Sequence, residues 1–164
     1  MSSHPYFDGG TMTPTLIPSG GLPATEAVVA NDGWYPDIPV SSFKLVTGLD
    51  DTFRLEQVVE TVTAAVAETN RTLLSWRQTQ TASSLAEVPG PLLNGRPGPL
   101  ALYRTAVHAL ARAKLLQVVR DFDSTKSGHA RADALESTAD DWLARAHEAL
   151  SVLTGRPRAT IELV

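Results

Sequence analysis

Residues 98–122 read GPLALYRTAVHALARAKLLQVVRDF, and the fold follows from this stretch. Tyr103, Val107, Leu110, Leu115, Val118 and Phe122 recur at helical spacing and make one apolar face. Ala106, Ala109, Ala113 and Leu116 make a second. A helix that is apolar on most sides sits at the centre of its bundle. Pro99 suits the first turn, where a missing N–H has no intrahelical partner to lose. The one polar stripe is Arg104, His108 and Arg112, at i, i+4 and i+8.

Two further long helices flank this centre. One is expected from about Thr52 to Thr81, with Asp50 and Asp51 at its start, where the macrodipole favours negative charge. Leu55, Val58, Val59, Val62, Val66, Thr69, Leu73 and Trp76 form its single apolar face. Its Val and Thr content is poor for intrinsic helicity, so tertiary packing must hold it. The other runs from about His129 to Thr154 and buries Leu135, Ala139, Trp142, Ala146, Leu150 and Leu153. Gly155 caps it and Pro157 prevents its continuation. A short helix from Ser41 or Ser42 to about Thr47, closed by Gly48, precedes the first. Between the first and second long helices, residues 82–99 hold Pro89, Pro91, Pro97 and Pro99 with Gly90, Gly95 and Gly98. This composition predicts a long loop without regular structure.

The first 40 residues differ from the rest. They contain 6 Pro and 5 Gly, no Lys or Arg, and four acids, Asp8, Glu26, Asp32 and Asp37. Such a segment buries too little apolar surface to offset an ordering entropy of about 1–2 kcal/mol per residue. Thr15-Leu16-Ile17 and Ala27-Val28-Val29 are its only strand-like pieces, each short enough to need a neighbour's sheet edge. Trp34-Tyr35-Pro36-Asp37-Ile38-Pro39 closes it as a plug, two aromatics that need a pocket on a stiffened chain. At the other end, Arg156 to Val164 alternates like a strand, Ile161 and Leu163 on one side and Thr160, Glu162 and Val164 on the other. The expected fold is therefore all-α: a small helical bundle of three long helices plus one short. It carries an extended Pro/Gly-rich arm (residues 1–40) before the helical domain (41–155) and an extended strand-like tail (156–164) after it.

Charge and composition narrow the function. The chain has 164 residues, 14 Lys+Arg and 18 Asp+Glu. With four acids in the arm, the remainder is balanced at 14 against 14, unlike a strongly basic nucleic-acid domain. There is no cysteine, hence no disulfide frame and no thiolate chemistry. No signal peptide and no membrane span are expected, and synthesis in a cytoplasm is. Catalytic and metal signatures are weak. Asp121 to Gly128 departs from a calcium loop, with Lys126 at the sixth position and Ala132 at the twelfth. Asp140 and Asp141 are helix neighbours that do not face each other. His147-Glu148 lacks the second histidine of a zinc helix. No enzyme activity, metal or cofactor is expected. The Arg104, His108, Arg112 stripe either faces phosphates or an acidic partner, or it pairs with the acidic first half of the last helix or is solvated.

Five stretches carry a resemblance. They are Tyr35-Pro36-Asp37-Ile38, Ala67-Glu68-Thr69-Asn70, Tyr103-Arg104-Thr105-Ala106-Val107, Arg131-Ala132-Asp133 with Glu136-Ser137-Thr138, and Gly155-Arg156-Pro157-Arg158. In this order and spacing, from about Val28 to Val164, the chain resembles the GPL family of head completion/stabilisation proteins of temperate contractile-tailed phages. The resemblance implies a structural virion protein that binds the portal protein after DNA packaging. It implies a homo-oligomeric, dodecameric adaptor ring at the head–tail junction that stabilises the filled head and meets neck and tail completion proteins. Transient, non-specific contact with packaged DNA is compatible with that place. Partner contacts are expected at Trp34, Tyr35, Arg156, Arg158, Ile161, Leu163 and Val164. The rivals are an oligomeric helical nucleic-acid-binding subunit of the packaging machinery and a small helical enzyme or regulatory domain.

Overall fold

A computed structural model describes residues 26–122 and 129–156. In chain order the elements are β1 (Val28–Val29), β2 (Ile38–Pro39), α1 (Val40–Thr47), α2 (Leu55–Arg77), a 3-10 turn (Leu85–Glu87), β3 (Leu92–Leu93), β4 (Arg96–Pro97), α3 (Gly98–Phe122) and α4 (His129–Thr154). The described residues form a mostly helical domain, three long helices and one short, with two antiparallel hairpins of two residues per strand.

The apolar surround of α3 makes it the hub. Tyr103, Ala106, Val107, Ala109, Leu110, Ala111, Leu115 and Leu116 are all buried, and α3 meets α1, α2, α4, the 3-10 turn and the second hairpin. Its most extensive partner is α4, where Ala139, Ala146 and Ala149 are buried. Small side chains on both helices let the backbones approach, and six intervening residues make the pair antiparallel. Helix α2 lays Val58, Val62, Ala65, Val66, Thr69 and Leu73 against this hub. Trp142, expected inside, is only partly buried; it lies at the edge of the core with the Arg145 guanidinium 4.7 Å from its ring centre.

Helix α2 is shorter than its apolar pattern suggests. At its start the Asp50 carboxylate accepts the Thr52 N–H (3.1 Å), holding residues 50–52 in a turn. At its end Thr79 N–H donates to the Trp76 carbonyl and Gln80 N–H to the Arg77 carbonyl, so the chain turns away to run along Trp34. Trp34 fixes that course, its indole N–H donating to the Ala82 carbonyl (3.0 Å) and its own carbonyl accepting the Leu85 N–H (2.9 Å). Helix α1 closes at Gly48, whose φ of 61° suits the left-handed cap and costs a glycine least.

The segment before the helices is part of the body from residue 26 onward. Val28 pairs with Pro39 and Val29 with Ile38, so Ala27-Val28-Val29 finds its strand partner within the chain. Val40 N–H donates to the Ala27 carbonyl, joining the hairpin to α1. Val29, Tyr35 and Ile38 lie in the same buried cluster as Phe43, Leu73 and Tyr103. A boundary at residue 40, drawn from Pro and Gly content, misses this: Asn31, Asp32 and Gly33 form the turn of a packed hairpin. Residues 1–25 and the strand-like tail beyond Arg156 lie outside the described residues.

Residues 82–99 also hold regular structure. Leu92-Leu93-Asn94-Gly95-Arg96-Pro97 is a two-residue hairpin with φ of 49° at Asn94 and 70° at Gly95, the backbone that an Asn-Gly pair supplies. Its base is closed by Gly98 N–H donating to the Pro91 carbonyl at 2.8 Å. A Cβ at Gly98 would sit 2.4 Å from that oxygen, so only glycine permits the closure.

Candidate functional site: a cationic cleft between helix α1, the second hairpin and helix α3

Helix α1 and, about 50 residues later, the second hairpin with the start of α3 that directly follows it enclose a cleft of about 440 Å3. Helix α1 contributes Ser42 and Val46, the β3–β4 hairpin contributes Leu93, Asn94 and Arg96, and the first half of α3 contributes Arg104 and His108. Their positions have local causes. Arg104 and His108 are one helical turn apart and share a face of α3. The tight Asn94-Gly95 turn, with its base tied at Gly98, folds Leu93 and Arg96 back over the start of α3. Among the described residues no acidic side chain lines the cleft.

Its rim is apolar and open. Leu45 is 84% exposed, Leu92 70%, Val46 60% and Leu93 41%. Single exposed aliphatics are ordinary on a protein surface. Here Val46 and Leu93 line the cleft beside Arg96 and Arg104, while Leu45 and Leu92, their neighbours in the chain, are exposed on the same two elements outside its lining.

The floor is polar and incompletely satisfied. His108 is 4% exposed, and its pKa is pushed down to about 4 by burial first and then by the Arg104 charge. It is therefore neutral at physiological pH, beside the Phe43 ring at 6.0 Å. His108 Nε2 and Arg104 Nε, and one turn further along α3 outside the cleft Arg112 Nε, are buried without a hydrogen-bond partner among the described residues. Such a group costs about 1–3 kcal/mol unless something meets it. Burial also lowers the Arg112 pKa, opposed by Asp50 nearby. The stripe expected on α3 is thus two half-buried cations separated by an uncharged imidazole.

A second cluster is closed. Tyr35 stacks on Tyr103 (centroids 4.8 Å apart, planes 15° apart), and Trp34 meets Tyr35 edge-on at 4.7 Å. The Arg77 guanidinium lies 4.9 Å from the Trp34 ring centre and 5.2 Å from that of Tyr35, and pairs with Asp32. Asn31, Asn70 and Tyr103 form a cycle: Asn31 Nδ2 donates to the Tyr103 hydroxyl (2.9 Å), which donates to Asn70 Oδ1 (2.6 Å), and Asn70 Nδ2 donates to Asn31 Oδ1 (2.9 Å). Burial pushes the Tyr35 phenol up to about 12, with Arg77 pulling the other way. At Asp32 burial works against ionisation. The Tyr35 N–H, the Arg77 guanidinium and the Trp34 N–H outweigh it and hold the carboxyl below its usual range. Three of the five stretches that carry the family resemblance supply Tyr35, Asn70 and Tyr103 to this cluster.

The expected partner residues divide accordingly. Tyr35 is buried and Trp34 half-buried, both occupied within the chain, because the 28–39 hairpin turns their rings onto α2 and α3. This corrects the expectation of an external contact at Tyr35; the two rings plug the body itself. Arg156 is exposed just past α4, where its N–H donates to the Ser151 carbonyl (3.1 Å). Arg158, Ile161, Leu163 and Val164 lie outside the described residues. The cleft's Val46, Leu93 and Arg96 escaped sequence reasoning, although the Asn94-Gly95 pair between Leu93 and Arg96 is a strong hairpin signal. Among the described residues no three His, Cys, Asp or Glu side chains gather as a metal site, and no helix is long and apolar enough to cross a membrane.

A small helical body with a closed aromatic cluster and an open apolar–cationic cleft has the make-up of an assembly subunit. The chain belongs to the family of phage head completion proteins (GPL), whose model matches residues 29–164. It is 28% identical over 142 residues to the head completion/stabilization protein of Escherichia phage P2, covering 85% of this chain and 84% of that protein. It is 27% identical over 143 residues to the probable head completion/stabilization protein of Haemophilus phage HP1, covering 85% and 93%. No solved structure matches significantly.

Proposed function

We propose that this chain completes and stabilises the phage head as a non-catalytic adaptor. It binds the portal after DNA packaging, forms a ring of subunits matching the portal's symmetry, a dodecamer, and presents a surface to neck and tail completion proteins at the head–tail junction. It is made in the host cytoplasm. Besides family membership, the observation that carries this reading is the exposure of four large aliphatics, Leu45 and Val46 on α1 and Leu92 and Leu93 on the second hairpin, on two elements that wall one cleft. An apolar patch of that kind, rimming two cations, suits a partner surface. The tail, with Arg156, Arg158, Ile161, Leu163 and Val164, supplies a second contact, its alternation suited to strand addition on a partner. Weak contacts repeated round a ring multiply into firm attachment.

The rival, a nucleic-acid-binding subunit, loses the middle of its basic stripe, since His108 is buried and uncharged. Passing contact with packaged DNA rests on Arg104 and Arg112. Co-sedimentation across a salt series separates the two readings. The adaptor reading expects the purified chain to pellet with portal assemblies at moderate salt and to bind free duplex DNA weakly. Tight DNA binding with a steep salt slope and no portal association overturns it.

A further inference from the structure

The cleft asks for a particular occupant. It offers Arg96 and Arg104, has no acid among its described lining residues, and is rimmed by Val46 and Leu93. His108, 4% exposed, lies at its floor, and Arg104 Nε and His108 Nε2 are buried with no hydrogen-bond partner among the described residues. A ligand that fits brings a carboxylate next to bulky apolar side chains and no positive charge. The chain outside the described residues contains two candidates. The C-terminal one has Glu162 between Ile161 and Leu163, but follows Arg156 and Arg158, whose charge repels Arg96. The N-terminal one, residues 1–25, contains no Lys or Arg, and its single acid, Asp8, directly follows Tyr6 and Phe7. Pro5 before them stiffens the approach, and Gly9-Gly10 after them frees the exit.

We propose that Tyr6-Phe7-Asp8 of one subunit docks in the α1/β3–β4/α3 cleft of the next subunit, rings against Val46 and Leu93 and carboxylate toward Arg96 and Arg104. The inference rests on the ring reading above. The 18 residues from Asp8 to Glu26 span up to about 60 Å when extended, enough to reach a neighbour. One arm and one cleft per copy make a heterologous, head-to-tail contact, the kind that closes a ring.

The absence of cysteine makes the test clean. Full-length chains carrying only Gly9→Cys are mixed with chains carrying only Thr105→Cys, which lines the cleft and is exposed, on portal assemblies. A short bis-maleimide is added, and the mass of bound subunits is followed in parallel. A cross-linked heterodimer is expected, and none with Leu74→Cys on α2, which is exposed away from the cleft. Adding Asp8→Arg to the first chain should lower the yield about tenfold by placing like charges together, and Arg96→Glu in the second should restore it. Subunits that assemble on portal without heterodimer overturn the docking and leave the ring reading intact. Failure to assemble on portal at all overturns both. A chain carrying both cysteines that links only to itself, with no heterodimer in the mixture, shows that the arm fills its own cleft and also overturns the proposal.

Discussion

The two hairpins are built alike and used in opposite ways. Each pairs two residues with two, yet β1–β2 buries Val29 and Ile38 while β3–β4 leaves Leu92 and Leu93 exposed. The difference lies in what surrounds the strands. The first hairpin ends in Trp34 and Tyr35, which reach α2 and α3, and its turn is tied by Asn31 to Asn70 and Tyr103. Asn31 and Asp32 there find partners within the chain, although the buried Tyr35 hydroxyl has none among the described residues, and the hairpin stabilises the body. The second is tied only at its base, by Gly98 and Pro91, and its apolar residues face outward beside two arginines. Pairing alone says nothing of role; the side chains beyond the turn decide whether a hairpin serves the core or a partner.

This contrast can be broken by mutation, beginning at the closed cluster. Tyr103→Ala removes a fully buried ring together with the Tyr35 stack and the Asn31–Asn70 cycle, and should cost about 3–5 kcal/mol in denaturant unfolding. A variant with an unchanged midpoint means that the first hairpin is not docked as described. His108 should give the next largest effect, through pH. Its folded pKa, about 4, lies below the ordinary 6.5, so the unfolded chain takes up the proton first. Stability is full above about pH 6.5 and falls as the pH drops toward 4, by about 3 kcal/mol at most. His108→Leu should flatten the unfolding profile over that window; a profile unchanged by it places the imidazole in water. Asn31→Ala, which leaves Asn70 and Tyr103 short of a partner, should cost about 1–3 kcal/mol. A loss below about 0.5 kcal/mol would make that cycle incidental.

Much of the helical frame was legible in the sequence, for local reasons. Helices α3 and α4 begin and end where Pro99 and Gly155 punctuate a helical apolar pattern. Helix α2 stops short of its pattern because Trp34, 48 residues before Ala82, draws the chain after Arg77 along its indole. Pro and Gly counting misjudged residues 26–39, where the same residues that loosen a free chain make the turns of a packed one. The burial of His108 was not legible in the sequence: its i, i+4, i+8 spacing with Arg104 and Arg112 suggests a polar stripe, and only the packing of α1 against α3, with Phe43 beside the imidazole, covers it. The cleft was the least legible part. Its walls come from residues 42–46, 93–96 and 100–108, and no local pattern records that these segments meet.

At the open surface the expectation is a small effect on stability and a large one on assembly. Leu45→Asp with Leu92→Asp changes two exposed side chains, so unfolding should shift by no more than about 0.5 kcal/mol per site. The direct measurement is head completion: supply this double variant in place of the wild-type chain during phage growth, and determine the fraction of filled heads that carry the protein and retain DNA. Natively stable protein that is absent from heads which lose their DNA is the result expected if the second hairpin and α1 form the assembly face. Heads completed at the wild-type level would contradict that account.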